Sequence, residues 1–169
     1  MTLMMTIMLA AAPYLPSTPS LGMAEGRCRP NEPGPAIVVE VAGLKDRRGR
    51  FKLEAYPSNE RDFLADDNVL VMAGKVFRRV EQPLSGHGDV QLCIRVPAPG
   101  SYSLSLLHDR DSNRRFGLSS DGIGFPNNPK LGLSAPSAAA TRVRAGPGLT
   151  RIRIVMNYRR GLSFGPLRK

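Results

Sequence analysis

The sequence predicts an all-β fold, a single antiparallel β-sandwich of immunoglobulin or transthyretin type with about seven strands. Three observations favour this class. The 169 residues fit one compact domain. Seventeen Gly and 15 Pro are spread along the chain as isolated residues, which helices tolerate badly. Short segments alternate apolar and polar residues, which is typical of antiparallel sheets with one solvated face, and two such sheets pack into a sandwich. A small barrel is the alternative.

The strands are predicted one by one from apolar residues at every second position. In 36–42, Ile37, Val39 and Val41 share one face. In 50–56 the residues alternate, with Phe51, Leu53 and Ala55 pointing inward and Arg50, Lys52 and Glu54 pointing to solvent. The same alternation predicts strands at 69–80 (interrupted at 73–74), 89–96, 101–108, 138–144 and 149–158. The polar stretch 58–67 has room for one helical turn at 60–65, and 109–134 is a long loop rich in Gly, Asn and Asp.

The N-terminus has the features of an export signal. Residues 1–24 contain no charged side chain, and the apolar run 3–12 has the length of a secretory hydrophobic region but is too short to span a bilayer. Gly22 and Ala24 place small residues three and one before Glu25, so we predict a signal peptide at 1–24, cleavage after Ala24, and a periplasmic or secreted protein. The alternative is a frayed apolar N-terminus on a cytosolic protein.

The mature chain then divides into an extended leader at 25–35, the sandwich domain at 36–158 and a flexible basic tail at 159–169, with no transmembrane span. The chain has two cysteines, and an even pair in a secreted protein predicts a disulfide between Cys28 and Cys93. Cys93 lies opposite the apolar row of its strand, where the leader could cross it. Two unrelated buried thiols are the alternative.

The net charge of +10, from 24 Lys and Arg against 14 Asp and Glu, is typical of proteins drawn to polyanions. The basic residues form scattered pairs rather than a long run, and aromatic residues are 6% of the chain with no Trp, so nucleic-acid binding is not expected. The predicted partner is an envelope protein or a polyanionic envelope component. No cofactor and no metal are expected, since neither Cys has a second ligand at zinc spacing.

The loop after the fifth predicted strand carries the most distinctive residues. Asp109, Asp111 and Asn113 place oxygen side chains at alternate positions, as in the start of a calcium loop. The sixth and twelfth positions are Arg114 and Ser120 rather than Gly and Glu. An Asx-rich turn that bonds its own backbone is therefore favoured, with a calcium-stabilised module as an alternative.

His108 lies on the inward-facing side of its strand, next to Asp109. A lone histidine in this position is more often hydrogen-bonded inside the fold than a catalytic base. The alternative is a small hydrolase-type enzyme that uses His108 and Asp109. The sequence contains no nucleophile elbow, zinc spacing or phosphate-binding glycine loop, so no catalytic residue is assigned.

Four blocks follow one another in a recognisable order. They are Val41-Ala42-Gly43-Leu44 with Gly49, Pro99-Gly100-Ser101-Tyr102, His108-Asp109-Arg110-Asp111-Ser112-Asn113, and Gly122-Ile123-Gly124-Phe125-Pro126-Asn127-Asn128. Together the blocks resemble the bacterial exported family called domain of unknown function 2141, over about 36–158. The resemblance implies a small secreted or periplasmic all-β domain, and it implies no activity, ligand or catalytic residue.

These observations favour a non-enzymatic envelope domain that binds through the loop 109–128 or serves a structural role, since loops held by a rigid sandwich are usual binding sites. Within that loop, Phe116 and Phe125 lie among glycines. The candidate binding residues are His108, Asp109, Asp111, Asn113, Phe116, Phe125, Asn127 and Asn128.

Overall fold

The computed structural model of the chain describes residues 14–31, 33–84, 86–132 and 134–167. The predicted signal-peptide residues 1–13 and the last two residues of the predicted tail lie outside this description. The strands are β1 (Ala36–Ala42), β2 (Arg50–Pro57), β3 (Arg78–Pro83), β4 (Val90–Arg95), β5 (Gly100–Asp109), β6 (Gly122–Gly124), β7 (Arg142–Ala145), β8 (Leu149–Val155), β9 (Asn157–Arg160) and β10 (Ser163–Pro166). The helix α1 covers Asp67–Met72, and a short 3-10 helix covers Ala139–Thr141.

The strands form two open sheets, so the predicted sandwich is confirmed. The small sheet has the order β4-β1-β8, and the large sheet has the order β10-β9-β6-β5-β2-β3 with β7 paired to β5. The pairing of β1 with β8 is parallel, an exception to the antiparallel arrangement of the other pairs. None of the described helices is both long and apolar enough to cross a membrane.

The core lies between the two sheets and is built from the alternating residues. Ile37 and Val39 of β1 contribute to it from the small sheet, and Leu53 of β2 and Leu104 of β5 contribute from the large sheet, all with no exposed surface. Burial of each such side chain stabilises the fold by about 1.5–3 kcal/mol. The apolar face predicted for each of these strands is the face that the structure buries.

The large sheet is also covered on its outer face, which the sequence predicted to be solvated. Tyr56 at the end of β2 packs there in a second apolar cluster, with rings and aliphatic groups from 58–77 and 125–138. The cluster consists of Tyr56, Phe63, Leu70, Phe77, Phe125, Leu131 and Ala138. This second layer creates the space in which the candidate site lies.

Three predicted strands have a different structure. In the predicted strand 138–144, Ala139–Thr141 form the 3-10 helix and the strand β7 begins only at Arg142. Residues 69–72 belong to α1, because Asp67 and Leu70, three residues apart, are buried on one side of a helical turn while Val69 and Met72 are exposed. The predicted strand 149–158 is two strands, because the chain leaves the small sheet after Val155 and joins the large sheet at Asn157. Met156, fully buried, is the corner and donates its backbone N–H to the carbonyl of Ala42.

The segment predicted as a flexible tail contains regular structure in its described part, since β9 and β10 form an antiparallel hairpin over 157–166. The loop predicted at 109–134 likewise contains the short strand β6, which pairs with β5 and β9. Both differences arise because these short strands form by pairing with distant segments of the large sheet, as β6 does between β5 and β9, and their own sequences have no alternating pattern that predicts it.

The predicted disulfide is confirmed. Cys28 and Cys93 are bonded, with their Cα atoms 5.6 Å apart, so the leader is tied to β4. Upstream of it, residues 14–24 lie against α1 and β3: the N–H of Arg79 donates to the Gly22 carbonyl (2.7 Å) and its carbonyl accepts from the Ala24 N–H (2.8 Å). Cleavage after Ala24 would remove this segment, whereas cleavage upstream of Tyr14 would keep it.

Candidate functional site

His108 is held inside the fold by hydrogen bonds at both ring nitrogens. Its Nδ1 lies 2.7 Å from the Tyr158 hydroxyl and its Nε2 lies 2.9 Å from the Arg48 carbonyl oxygen. Because a carbonyl only accepts, we assign the proton to Nε2, and Nδ1 then accepts from Tyr158. The Tyr158 oxygen in turn accepts the backbone N–H of Lys45 at 3.1 Å. The chain of bonds is complete with a neutral imidazole.

The surroundings favour that neutral form. Burial lowers the pKa of His108 below its ordinary value, and burial raises the pKa of Tyr158 to about 12. The His108 side chain has no exposed surface and packs on Phe51, with ring centroids 5.1 Å apart. His108 therefore links the β1–β2 turn to β9 and is not presented to a substrate, so the geometry gives the hydrolase alternative no support.

Asp109 organises the loop that follows β5. Its two oxygens accept the backbone N–H groups of Asn113 at 3.1 Å and Arg114 at 2.8 Å. Asp111 accepts the same Asn113 N–H at 3.2 Å and its side-chain amide at 2.9 Å. Ser112 and Arg114 have positive φ angles of 59° and 65°, which this bonding holds in place. The geometry is that of the Asx-rich turn expected from the sequence.

Asp121 closes the other end of the same loop, a role that the sequence did not indicate. It is buried and accepts the backbone N–H of Arg110 at 3.0 Å and that of Gly117 at 2.7 Å. Its carboxylate lies with those of Asp109 and Asp111 within 4.8 Å, an arrangement that could hold a cation. The loop amides already bond all three carboxylates, and these bonds account for their convergence.

Arg110 ties this loop to the β1–β2 turn. Its Nε lies 3.1 Å and 3.0 Å from the two carboxylate oxygens of Asp46, and its Nη2 bonds the same group. The hydrogen bond from Arg110 lowers the pKa of Asp46 to about 2. The ionic bond is therefore present throughout the neutral range of pH.

Asn127 and Asn128 anchor the far end of the loop. Both have positive φ angles, 61° and 49°, which asparagine adopts more readily than most residues. Asn127 donates to the carbonyls of Ala140 (3.1 Å) and Arg142 (3.0 Å), and the Asn128 side-chain oxygen accepts the Val155 N–H at 2.7 Å. These two side chains position the loop against β7 and β8.

The two glycines of the G-x-G block are required by close packing. A Cβ at Gly122 would lie 2.4 Å from the ring of Tyr158, and a Cβ at Gly124 would lie 2.5 Å from Cγ2 of Ile154. Because these two residues have no Cβ atom, β6 can approach the β8–β9 corner, and there is room for the Tyr158 ring that bonds His108.

Phe116 and Phe125, also predicted as binding residues, meet at a cavity of about 310 Å³ on the outer face of the large sheet. Strand register builds its floor, since Lys52 on β2 lies opposite Leu107 on β5, which lies opposite Ile123 on β6. The apolar lining consists of Leu64, Leu107, Phe116, Leu118, Ile123, Phe125, Leu131, Ala135, Pro136 and Phe164. Pockets of this size with an apolar lining are typical ligand sites.

The mouth of this pocket exposes large apolar side chains. Leu64 is 39%, Phe116 41% and Leu118 60% exposed, whereas Phe125 is 3% exposed at the inner wall. Phe116 packs against Phe164 of β10, with ring centroids 5.6 Å apart. A cluster of exposed apolar side chains around a cavity is typical of an interaction site.

Three polar side chains stand on the floor. Glu54 is buried, and its oxygens accept from Arg79 Nε and from the Tyr56 hydroxyl, each at 2.8 Å. Burial, followed by the charge of Glu54, raises the pKa of Tyr56 well above its ordinary value. Lys52 lies 3.5 Å from Glu54 and donates to the Arg114 carbonyl at 3.3 Å. Ser105 completes the set.

The structure thus divides the candidate residues. It brings Phe116 and Phe125 to the pocket, and it uses His108, Asp109 and the asparagines to build the loop. Sequence reasoning missed Lys52 and Glu54, which it placed on a solvated face, and Phe164, which it placed in a flexible tail. The available signal was Leu107 and Ile123, apolar residues at outward-facing positions of the large sheet.

Comparison with known proteins identifies a family and assigns no activity. No curated protein and no solved structure matches the chain. One family model, described as "Uncharacterized protein conserved in bacteria (DUF2141)", matches residues 39–153. The match covers more than half of the chain and includes the blocks that carried the resemblance. The chain belongs to this family of uncharacterised bacterial proteins.

Proposed function

We propose that the protein is a non-enzymatic, exported binding domain that holds a small apolar ligand in the pocket between the large sheet and the loop 109–128. The observation that carries this proposal is the apolar cavity of about 310 Å³ with Phe116 and Leu118 exposed at its mouth. Water in such a cavity makes few hydrogen bonds, so an apolar ligand gains by displacing it.

Export is supported by the apolar N-terminal run and by the disulfide between Cys28 and Cys93. Structural disulfides persist in the periplasm and outside the cell, and they are rare in the cytosol. The proposed location is therefore the periplasm or the exterior, reached by a cleavable signal peptide. The ligand would be found there, in the envelope or the medium.

The pocket is tested by titrating 2-naphthol, an uncharged ring compound of about the size of the cavity, in a calorimeter. We expect one saturable site. Ala135→Trp puts a large ring into the mouth from an exposed position and should abolish binding. Leu118→Ser should weaken binding about tenfold, because an apolar contact worth about 1.5 kcal/mol is lost.

Leu162→Ser is the matched control, since Leu162 is 83% exposed and does not line the pocket. We expect its affinity for 2-naphthol to equal that of the wild type. The proposal fails if 2-naphthol does not bind, or if Ala135→Trp binds it as the wild type does.

A further inference from the structure

We propose that the ligand is a single-chain anionic amphiphile, a carboxylate of medium chain length whose apolar chain fills the pocket and whose carboxylate bonds Lys52. This inference rests on the proposed binding function and specifies the chemical class of the ligand. It is drawn from the size of the cavity, from an unpaired N–H donor of the Lys52 ammonium group and from the charged residues beside the pocket.

The cavity volume sets the length of the chain. A dry apolar cavity of about 150 Å³ holds one benzene ring, so the cavity of about 310 Å³ has room for about ten to twelve non-hydrogen atoms. An eight-carbon carboxylate has about this size. The mostly aliphatic and aromatic lining, with Phe125 and Leu131 at its inner wall, suits a flexible alkyl chain.

Lys52 is the one cationic side chain among the described residues that line the pocket. An ammonium group has three N–H donors. One donates to the Arg114 carbonyl at 3.3 Å and one faces Glu54 at 3.5 Å, which leaves the third without a partner among the described residues. The Lys52 side chain as a whole is 17% exposed, so most of its stem is covered. A carboxylate at the end of a bound chain would satisfy this donor.

Glu54 is next to Lys52, but its carboxylate is already paired with other buried side chains. Arg79 bonds it through Nε and Nη2, both at 2.8 Å, and Tyr56 donates to its other oxygen. An incoming anion therefore competes with a carboxylate that has its own buried partners. Repulsion from Glu54 is reduced accordingly, although it is not removed.

The basic residues beside the pocket exceed the acidic ones. Two arginines share the single carboxylate of Glu81. Its Oε2 lies 3.0 Å from Nη1 of Arg50 and 3.1 Å from Nε of Arg114. Arg114 is also the residue whose carbonyl accepts from Lys52. The chain as a whole carries +10. This field favours an anion over a cation at the pocket mouth and would speed its association at low salt.

The experiment compares three probes that share one alkyl chain, octanoate, octan-1-ol and octylammonium, by isothermal titration calorimetry at low ionic strength. For the wild-type protein we expect octanoate to bind at least about tenfold more tightly than octan-1-ol, and octylammonium most weakly. Added salt should weaken octanoate binding and leave octan-1-ol unchanged, because only the ionic contact is screened. These comparisons need no variant.

Lys52→Met keeps an unbranched side chain and removes the charge. It should abolish the preference for octanoate over octan-1-ol, and saturable binding of octan-1-ol by the variant shows that the pocket is folded. Lys45→Met, at an exposed lysine outside the pocket lining, is the control and should bind octanoate like the wild type.

Equal affinities of the wild type for octanoate and octan-1-ol, or tighter binding of octylammonium, would overturn the carboxylate assignment and leave the proposed apolar site intact. Retention of the octanoate preference in Lys52→Met would overturn the role of Lys52. Failure of every probe, 2-naphthol included, would instead overturn the proposed binding function.

Discussion

Replacement of His108 by alanine should destabilise the fold strongly. The change leaves the Arg48 carbonyl without its donor and the Tyr158 hydroxyl without its acceptor. Buried polar groups left unpaired cost about 1–3 kcal/mol. Loss of the ring that packs on Phe51 adds about 2 kcal/mol, as for other truncations of buried side chains. The expected decrease in the free energy of unfolding is therefore about 3–5 kcal/mol.

Urea unfolding followed by circular dichroism measures this difference, with the m-value as a check that the transition is unchanged. His87→Ala is the matched control, since His87 is exposed in a turn, and it should change the stability by less than about 0.5 kcal/mol. Tyr158→Phe removes only the hydroxyl and should cost about 1–2 kcal/mol.

Because His108 and Tyr158 share one hydrogen bond, the double variant should lose less than the sum of the two single losses, by about 1 kcal/mol. A loss below about 0.5 kcal/mol for His108→Ala, or full additivity in the double variant, would refute the structural role argued for His108.

Three further predictions concern pH, the disulfide and the N-terminal segment. Burial lowers the His108 pKa below 6.5, so the unfolded chain binds a proton more readily than the folded chain does, and stability should fall as the pH drops through 6.5. When urea midpoints are plotted against pH, a His108→Gln variant should lack this slope. Reduction of the bond between Cys28 and Cys93, which are 65 residues apart, should cost about 4 kcal/mol, and a Cys28→Ser, Cys93→Ser variant should melt at the same lower temperature with or without reductant. A chain that begins at residue 25 should be about 1–3 kcal/mol less stable than one that begins at residue 14, because Arg79 loses two backbone partners; equal melting temperatures would show that 14–24 does not support the fold.

The local pattern predicted the strands whose two faces differ most. The bounds of β1 are those that its alternation indicated, and β4 and β5 differ from the prediction by a residue or so. The apolar rows of these strands meet in the core because alternation places them on one face whatever the neighbours are. The pattern misjudged 69–72, since a short apolar run fits a strand or a helix equally well until its partners are known.

The candidate site could be predicted only in part. Phe116 and Phe125 stood out as aromatic residues in a glycine-rich loop, and the structure places both at the pocket. Lys52 was assigned to solvent because it stands among the polar positions of an alternating strand. It lies in a cavity only because the loop 109–128 and the residues 131–132 and 134–136 fold back over that face. Such coverage depends on contacts between distant parts of the chain, which residue spacing does not encode.

By itself, the sequence determined the class of fold, the inward face of the main strands, the pairing of the two cysteines and the turn-forming role of the Asp109 region. Each of these follows from local sterics, side-chain alternation or residue count. Tertiary structure alone decided that the chain changes sheets at Met156, that β1 and β8 run parallel, and that an apolar pocket with a lysine on its floor lies outside the sandwich. The reason is physical: local patterns specify which side of a strand avoids water, whereas the position of a cavity depends on how distant segments pack against each other.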